Sequence, residues 1–263
     1  MAERPWIAYR DLALTLISRE LVVRYKRSAL GLVWALAEPL FNVAVYSVIF
    51  GRILGAWTGI PSYALYIMMG MLPWVFLATS VEQSAGTLLE HAPLIRKVRF
   101  PRELLIVAVV VSRMTTLLVG LSLALLLAVG KTQRGLELAW DQLWLLPVGL
   151  LSLGLFTLGI CLAASALQVI LRDVSFVVRF ALRLGFYACP IVYALDRVPA
   201  EWQAIYQWNP LVGMLWCFQA VVTPPSAAPA LAPFLGSLII SVVVAGFGWL
   251  AFKLLQPAVA DAI

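Results

Sequence analysis

Charge is what this chain has least of: 12% of its 263 residues are Asp, Glu, Lys or Arg, against about 25% in a soluble domain. That shortage, with 63% hydrophobic residues and a mean hydropathy of +0.95, excludes an ordinary soluble globule and indicates an integral membrane protein. Histidine is nearly missing. His91 is the sole one, so no His-built zinc site, and no other metal site, is expected. The three cysteines, Cys161, Cys189 and Cys217, are odd in number and lack CxxC spacing, which excludes a disulfide framework and leaves them as small apolar side chains. A phosphate loop is absent too: Gly130, Lys131 and Thr132 resemble its end, but Leu125 stands where the motif needs glycine. Nucleotide is therefore expected to bind elsewhere than on this chain. The opening residues MAERPWIAYRDLALTL lack the short apolar core and cleavage pattern of a secretory signal, and no segment is expected to be removed.

What is present is a series of long apolar runs. A hydrocarbon core is crossed by about 20 apolar residues, and the runs at 30–50, 63–84, 104–129, 143–171, 174–194 and 231–255 meet that length. They are continuously apolar and Leu-rich, without the ten-residue alternation of a barrel strand. The fold class expected is therefore all-α: six transmembrane helices, an amphipathic interface helix at 6–29 and short outer helices at 199–223. On that first helix Asp11, Thr15, Ser18, Arg19 and Lys26 form a polar stripe, while Leu12, Leu16, Ile17, Leu21 and Val23 cover the remainder. Ten Trp and eight Tyr suit the aromatic belts at the two interfaces.

The scarce cations are unevenly spent. With both termini cytoplasmic, fourteen of the nineteen Lys and Arg fall on the inner side and four, Arg52, Lys131, Arg134 and Arg197, on the outer side, as the positive-inside bias requires. The densest cluster is LIRKVRFPREL at 94–104, which becomes a cytoplasmic loop between the second and third spans. Pro101 disfavours helical geometry at Phe100 and sets this loop apart from the span that follows. The net charge of +6 lies between hydrophobic runs and not on a polar domain, so lipid headgroups or a cytoplasmic protein are its expected partners and nucleic acid is not.

Ionisable residues inside spans are costly and call for a reason. Arg113 lies within the third span, with Glu38 and Glu82 as candidate ion-pair partners; a structural pair and a channel-lining role both remain open. Arg172, Arg179 and Arg183 are spaced by seven and four, which puts them on one helical stripe. Asp173 opens the same helix, where a negative charge suits the helix dipole. Between the fifth and sixth spans, Pro199 and Pro210 are placed to start short helices and Asn209 to cap the second.

Five blocks occur in order: RYKRSALGLVWALAEPL, YIMMGMLPWVF, LIRKVRFPREL, LRDVSFVVRFALRLGFYACPIVY and WNPL. Together they resemble the type-2 ABC permeases that export O-antigen, capsular polysaccharide or teichoic acid. The likeness covers nearly the whole chain, down to FKLLQPAVADAI; His91 departs from it, standing where the family often has Asn.

The resemblance implies one permease domain over 1–263, in the cytoplasmic membrane, working as a homodimer with two copies of a separate ATPase subunit that binds ATP and Mg. It also implies that 87–103 forms a cytoplasmic coupling helix, docking with the N-terminal helix onto that subunit through Arg19, Arg24, Arg96, Lys97, Arg99, Phe100, Pro101, Arg102 and Glu103. Phe100 is the apolar knob of that surface and the arginines its acid-seeking rim. The cargo implied is a lipid-linked glycan, whose phosphates the arginine stripe would receive. Its sugars would pass flat rings drawn from Trp34, Tyr46, Trp74, Phe186, Tyr187 and Tyr193, with Arg113 also on the path. Pro190, Asn209 and Pro210 belong to the implied outer gate.

Competing functions are weaker. A secondary transporter is expected to show repeats between its halves, and none is visible; a membrane transferase needs clustered carboxylates or a nucleophile beside a base, and Asp173 with scattered Glu residues does not supply them. Export of a drug or small lipid by the same kind of permease is the alternative that the five blocks weigh against.

Overall fold

The computed structural model describes residues 5–25, 32–53, 55, 62–98, 100–132, 138–193, 195, 198–223 and 231–262. Among them there are helices and turns but no strand, and the protein is an all-α, multi-pass membrane protein. The helices are α1 (Pro5–Tyr25), α2 (Leu32–Tyr46), α3 (Tyr63–Glu90), α4 (Ala92–Lys97), α5 (Glu103–Thr132), α6 (Leu145–Ile170), α7 (Val174–Tyr187), α8 (Ala200–Trp208), α9 (Pro210–Gln219) and α10 (Leu231–Ala262). A π-helical segment, Ser47–Ile53, prolongs α2.

Among the described residues four segments are long and apolar enough to cross a membrane: Tyr63–Glu90, Glu103–Lys131, Trp140–Ile170 and Leu235–Val259. The other two expected spans differ in form. The first passes from α-helix to π-helix at Ser47. The fifth was expected to run to 194, but α7 has 14 residues and ends at Tyr187, about 21 Å by the helical rise, short of a hydrocarbon core of about 30 Å. Pro190 is the reason: it brings no N–H, and its ring would strike the carbonyl of Phe186 if the helix continued. The chain folds back there instead, through a turn in which Ile191 N donates to Cys189 O at 2.8 Å.

The centre is α3. Its apolar window is 78% buried, whereas that of α10 is 17% buried, so α3 is the pillar on which α2, α5, α6, α7 and α9 pack and α10 is peripheral. Tyr63, Tyr66, Ile67, Met69, Leu77 and Leu88 of α3 are all fully enclosed. At its two ends α3 is tied to different partners, which fixes the alignment of α5: Lys131 Nζ donates to Ser62 Oγ at 2.9 Å at one end, and α4 links α3 to α5 at the other.

α10 holds on through α6. A Cβ at Gly248 would lie 2.0 Å from the Gly159 carbonyl oxygen, and one at Gly159 would lie 2.4 Å from the Val244 carbonyl oxygen. Only glycine permits this backbone approach, the way small residues let helices pack closely in a bilayer.

Candidate functional site

Residues 87–103 do not form one helix. α3 continues to Glu90, α4 takes the six residues from Ala92 to Lys97 with Pro93 in its first turn, and Val98 is extended at φ −129°, ψ 132°. Pro101 keeps Phe100 out of helical geometry, and α5 begins at Glu103. No side chain of α4 is buried; Arg96 and Lys97 are exposed at its end, and Arg99 lies outside the described residues.

The rest of the expected coupling set divides in two. Arg19 is exposed on α1, with Asp11, Thr15 and Ser18 on the same outward side, while Leu12, Leu16, Ile17 and Leu21 turn inward, where α1 packs on α5; the side chain of Arg24 is outside the described set. Phe100 is half-buried against the protein's own core and is not a free knob. Arg102 Nη1 donates to the Gln256 carbonyl at 3.4 Å, and Glu103 is ion-paired with Lys253. Pro101, also half-buried, stands between these two groups.

Arg113 is placed in a polar relay across three helices. Its Nε donates to Gln83 Oε1 at 3.0 Å, and Gln83 Nε2 donates to Glu20 Oε2 at 2.8 Å. The neutral amide thus stands between a cation and an anion, with its dipole aligned to both. Glu82, a candidate from sequence, is exposed, and the side chain of Glu38 lies outside the described residues.

α7 carries Arg179 and Arg183, whereas Arg172 lies in the turn between α6 and α7, so the expected stripe of three is not internal to one helix; no side chain of α7 is buried. Arg172, Arg179 and Arg183 are exposed, and the Arg179 guanidinium lies 4.8 Å from the centre of the Phe176 ring, a cation–π contact. Beside the stripe, Phe176, Val177, Phe180, Leu184 and Tyr187 are also exposed. The corner into this helix is set by Gln168, whose Nε2 donates to the Arg172 carbonyl at 3.0 Å and whose Oε1 accepts from Ser175 N at 2.6 Å. Nothing in the spacing pointed to Gln168.

Four of the expected aromatic residues meet. Phe186 lies 5.8 Å from Tyr46, 6.0 Å from Trp74 and 5.3 Å from Tyr187, between ring centres. Their exposure differs: Trp74 is 6% exposed and Tyr187 61%, so Tyr187 faces outward while Trp74 is packing. The Trp74 ring fits against Gly185, where a Cβ would be 2.8 Å from its Cη2. The side chain of Trp34 lies outside the described residues.

Beyond α7 the chain is fastened by polar contacts, of which those of Tyr63 and Gln219 are buried. Tyr63 Oη donates to the Val192 carbonyl, Tyr66 Oη to the Tyr193 carbonyl at 3.3 Å, and Gln219 Nε2 to the Pro190 carbonyl at 3.0 Å. Asn209 both accepts from Leu211 N at 3.1 Å, capping α9 ahead of Pro210, and donates to Cys189 Sγ at 3.7 Å. Tyr193 Oη donates to the Tyr187 carbonyl at 2.9 Å and lies 2.9 Å from Tyr206 Oη, so the Tyr206 hydroxyl supplies the proton of that second bond. Pro190, Asn209 and Tyr193 are thereby brought into one network, of which Gln219, Tyr63 and Tyr66 were not foreseen.

Residues 12–223 match a family described as ABC-2 type transporter. The O-antigen export system permease protein RfbA of Myxococcus xanthus is 31% identical over 229 residues, covering 85% of this chain and 86% of that protein. RfbA of Klebsiella pneumoniae is 31% identical over 207 residues, 78% of this chain and 77% of that protein. The polysialic acid transport protein KpsM of Escherichia coli is 23% identical over 219 residues, 80% of each.

Proposed function

The chain belongs to the ABC-2 type transporter family, and from that premise we propose that it is the membrane subunit of an ATP-driven exporter of a lipid-linked polysaccharide. Two copies face one another in the cytoplasmic membrane, with both termini cytoplasmic, and the polymer leaves through a channel between them. Two copies of a separate ATPase subunit bind ATP and Mg beneath; this chain performs no hydrolysis. Closure of the ATPase pair displaces α4, and the spans carry the displacement to the channel.

One observation supports this reading above the others: α7 has no buried side chain and presents a row of arginines beside a row of exposed rings. An isolated copy leaves that face bare, which costs free energy in a bilayer unless partner, water or substrate covers the guanidinium groups. Arginine matches diphosphate oxygens with paired hydrogen bonds. The aromatic rings beside it suit the apolar faces of sugars. The named cargoes of the relatives, O-antigen and polysialic acid, are polysaccharides, and this chain is assigned the same class.

The reading is tested by purifying the tagged chain from its host in native lipid. A stoichiometric ATPase subunit and a bound lipid-linked glycan are expected. A purified chain that hydrolyses ATP with no partner present, or a complex that carries a drug-like molecule or small lipid in place of glycan, refutes it.

A further inference from the structure

α4 is a poor lever by its own contacts. It has six residues and no fully buried side chain, and Ile95 gives it a single half-buried contact with the core among the described residues, so its displacement is transmitted mainly by the chain on either side. On the downstream side, five residues separate Lys97 from Glu103, and they end in two grips on α10. Glu103 pairs with Lys253, and Arg102 Nη1 reaches the Gln256 carbonyl at 3.4 Å. The grips are one helical turn apart, on the turn that leads into Pro257. Proline has no N–H for the carbonyl four residues earlier, here that of Lys253, so α10 is gripped where its own ladder is interrupted.

The Glu103 side chain is only 20% exposed, and its Oε2 is buried with no hydrogen-bond partner among the described residues. The Lys253 ammonium also lies 5.8 Å from the centre of the Trp249 ring, which limits its alternatives. A half-buried carboxylate already committed to a lysine of its own chain is poorly placed to meet a partner subunit. The other end of the path is rigid: α10 rests on α6 through Gly159 and Gly248 at backbone contact. We infer that Glu103 and Lys253, assisted by Arg102, are positioning residues that form the joint carrying displacement of α4 into α10 and α6, while docking falls to the exposed Arg96 and Lys97. This rests on the proposed coupling to an ATPase subunit.

Two measurements test the joint and separate it from that reading. The first needs no partner: spin labels on Arg96→Cys and Leu254→Cys, in the purified chain in lipid nanodiscs, give a narrow distance distribution that Lys253→Met broadens and Lys253→Arg restores. An unchanged distribution in Lys253→Met overturns the joint. The second uses the assembled complex in proteoliposomes. Lys253→Met and Glu103→Gln are expected to keep complex yield and ATP hydrolysis within about twofold while glycan exported per ATP falls at least about fivefold, a loss of about 1 kcal/mol in coupling; Lys253→Arg restores most of it. Normal export per ATP overturns the inference, and so does loss of complex yield in parallel with export, because the pair then serves assembly only. If the native chain recruits no ATPase subunit, the proposed function falls, and the label distances still decide whether the joint exists.

Discussion

The two ends of the molecule are built on opposite plans. At the α8–α9 end, main-chain carbonyls of Pro190, Val192 and Tyr193 accept from Gln219, Tyr63 and Tyr66, and residues 189–192 and 212–215 are buried. At the α4 end a six-residue helix with no fully buried side chain, resting on the core through Ile95, carries Arg96 and Lys97 into the surroundings, and the chain after it is held by two grips of Arg102 and Glu103 on α10. In an apolar medium, breaking a buried hydrogen bond without a substitute is expensive. The pinned end therefore keeps its shape, and the open end is where the proposed ATPase subunit would act. A bend at Pro190 that is fixed in this way is a frame for α7, not its hinge.

The strongest challenge to the pinned end is Gly70→Val. A Cβ there would lie 2.6 Å from Gln219 Nε2, and this overpacking costs about 1–3 kcal/mol with a comparable penalty if the Pro190 carbonyl loses its donor. A fall of several degrees in the unfolding midpoint is expected, followed in detergent by a thiol-reactive dye that reports exposure of the buried Cys189 and Cys217. No shift would mean that the network is dispensable.

The open end is tested by Arg96→Glu combined with Lys97→Glu. These exposed side chains make no hydrogen bond or ion pair among the described residues, so the midpoint should not move, while affinity for the proposed ATPase subunit should fall at least tenfold, about 1.4 kcal/mol. A lower midpoint with unchanged affinity would reverse the contrast between the ends. Phe100 is unsuited to this test, since its half-buried ring supports the core.

Between the ends, Arg183→Gln and Arg179→Gln should lower export about fivefold, roughly 1 kcal/mol of lost charge-assisted binding, with basal ATP hydrolysis of the assembled complex intact. Arg183→Lys should recover part of it, because a point charge cannot reproduce the guanidinium fork. Normal transport by both variants would assign the stripe a structural role. The smallest effect is Tyr63→Phe, which deletes one hydroxyl and keeps the ring: about 1 kcal/mol of stability, seen as a small drop in the same midpoint with export unchanged. Export lost at full stability would make that contact a moving part.

How much of this was legible in sequence follows from what periodicity can carry. Apolar runs and cation counts gave the helical class and singled out 94–104, because hydropathy acts residue by residue along the chain. The pair Arg179 and Arg183 was legible for the same reason, since their spacing is internal to one helix, whereas Arg172 falls in the turn before it. Contacts between helices were not. Of the two candidates for Arg113, the Glu38 side chain lies outside the described residues and Glu82 is exposed while its neighbour Gln83 bonds to Arg113; one residue turns a helix by about 100°, so the choice between 82 and 83 depends on which face α3 turns to α5. Glu103 and Lys253 are 150 residues apart, and each alone looks like an interface charge. Trp74 looked like a sugar platform until Gly185 closed over it. Pro190 could have been used to stop α7 earlier, but the apolar run around it masked the break.

The contrast between the two ends rests most directly on where nucleotide binding by the proposed ATPase subunit would move the chain. Hydrogen exchange of the assembled complex in nanodiscs, with and without a non-hydrolysable ATP analogue, compares both ends in one sample. Amides of α4, of Val98 to Glu103 and of α7 should change protection when nucleotide binds, while Cys189, Ile191 and Val192 should remain protected to the same degree. If instead the bend at 189–192 opens and α4 is silent, the pinned and open ends have been assigned the wrong way round.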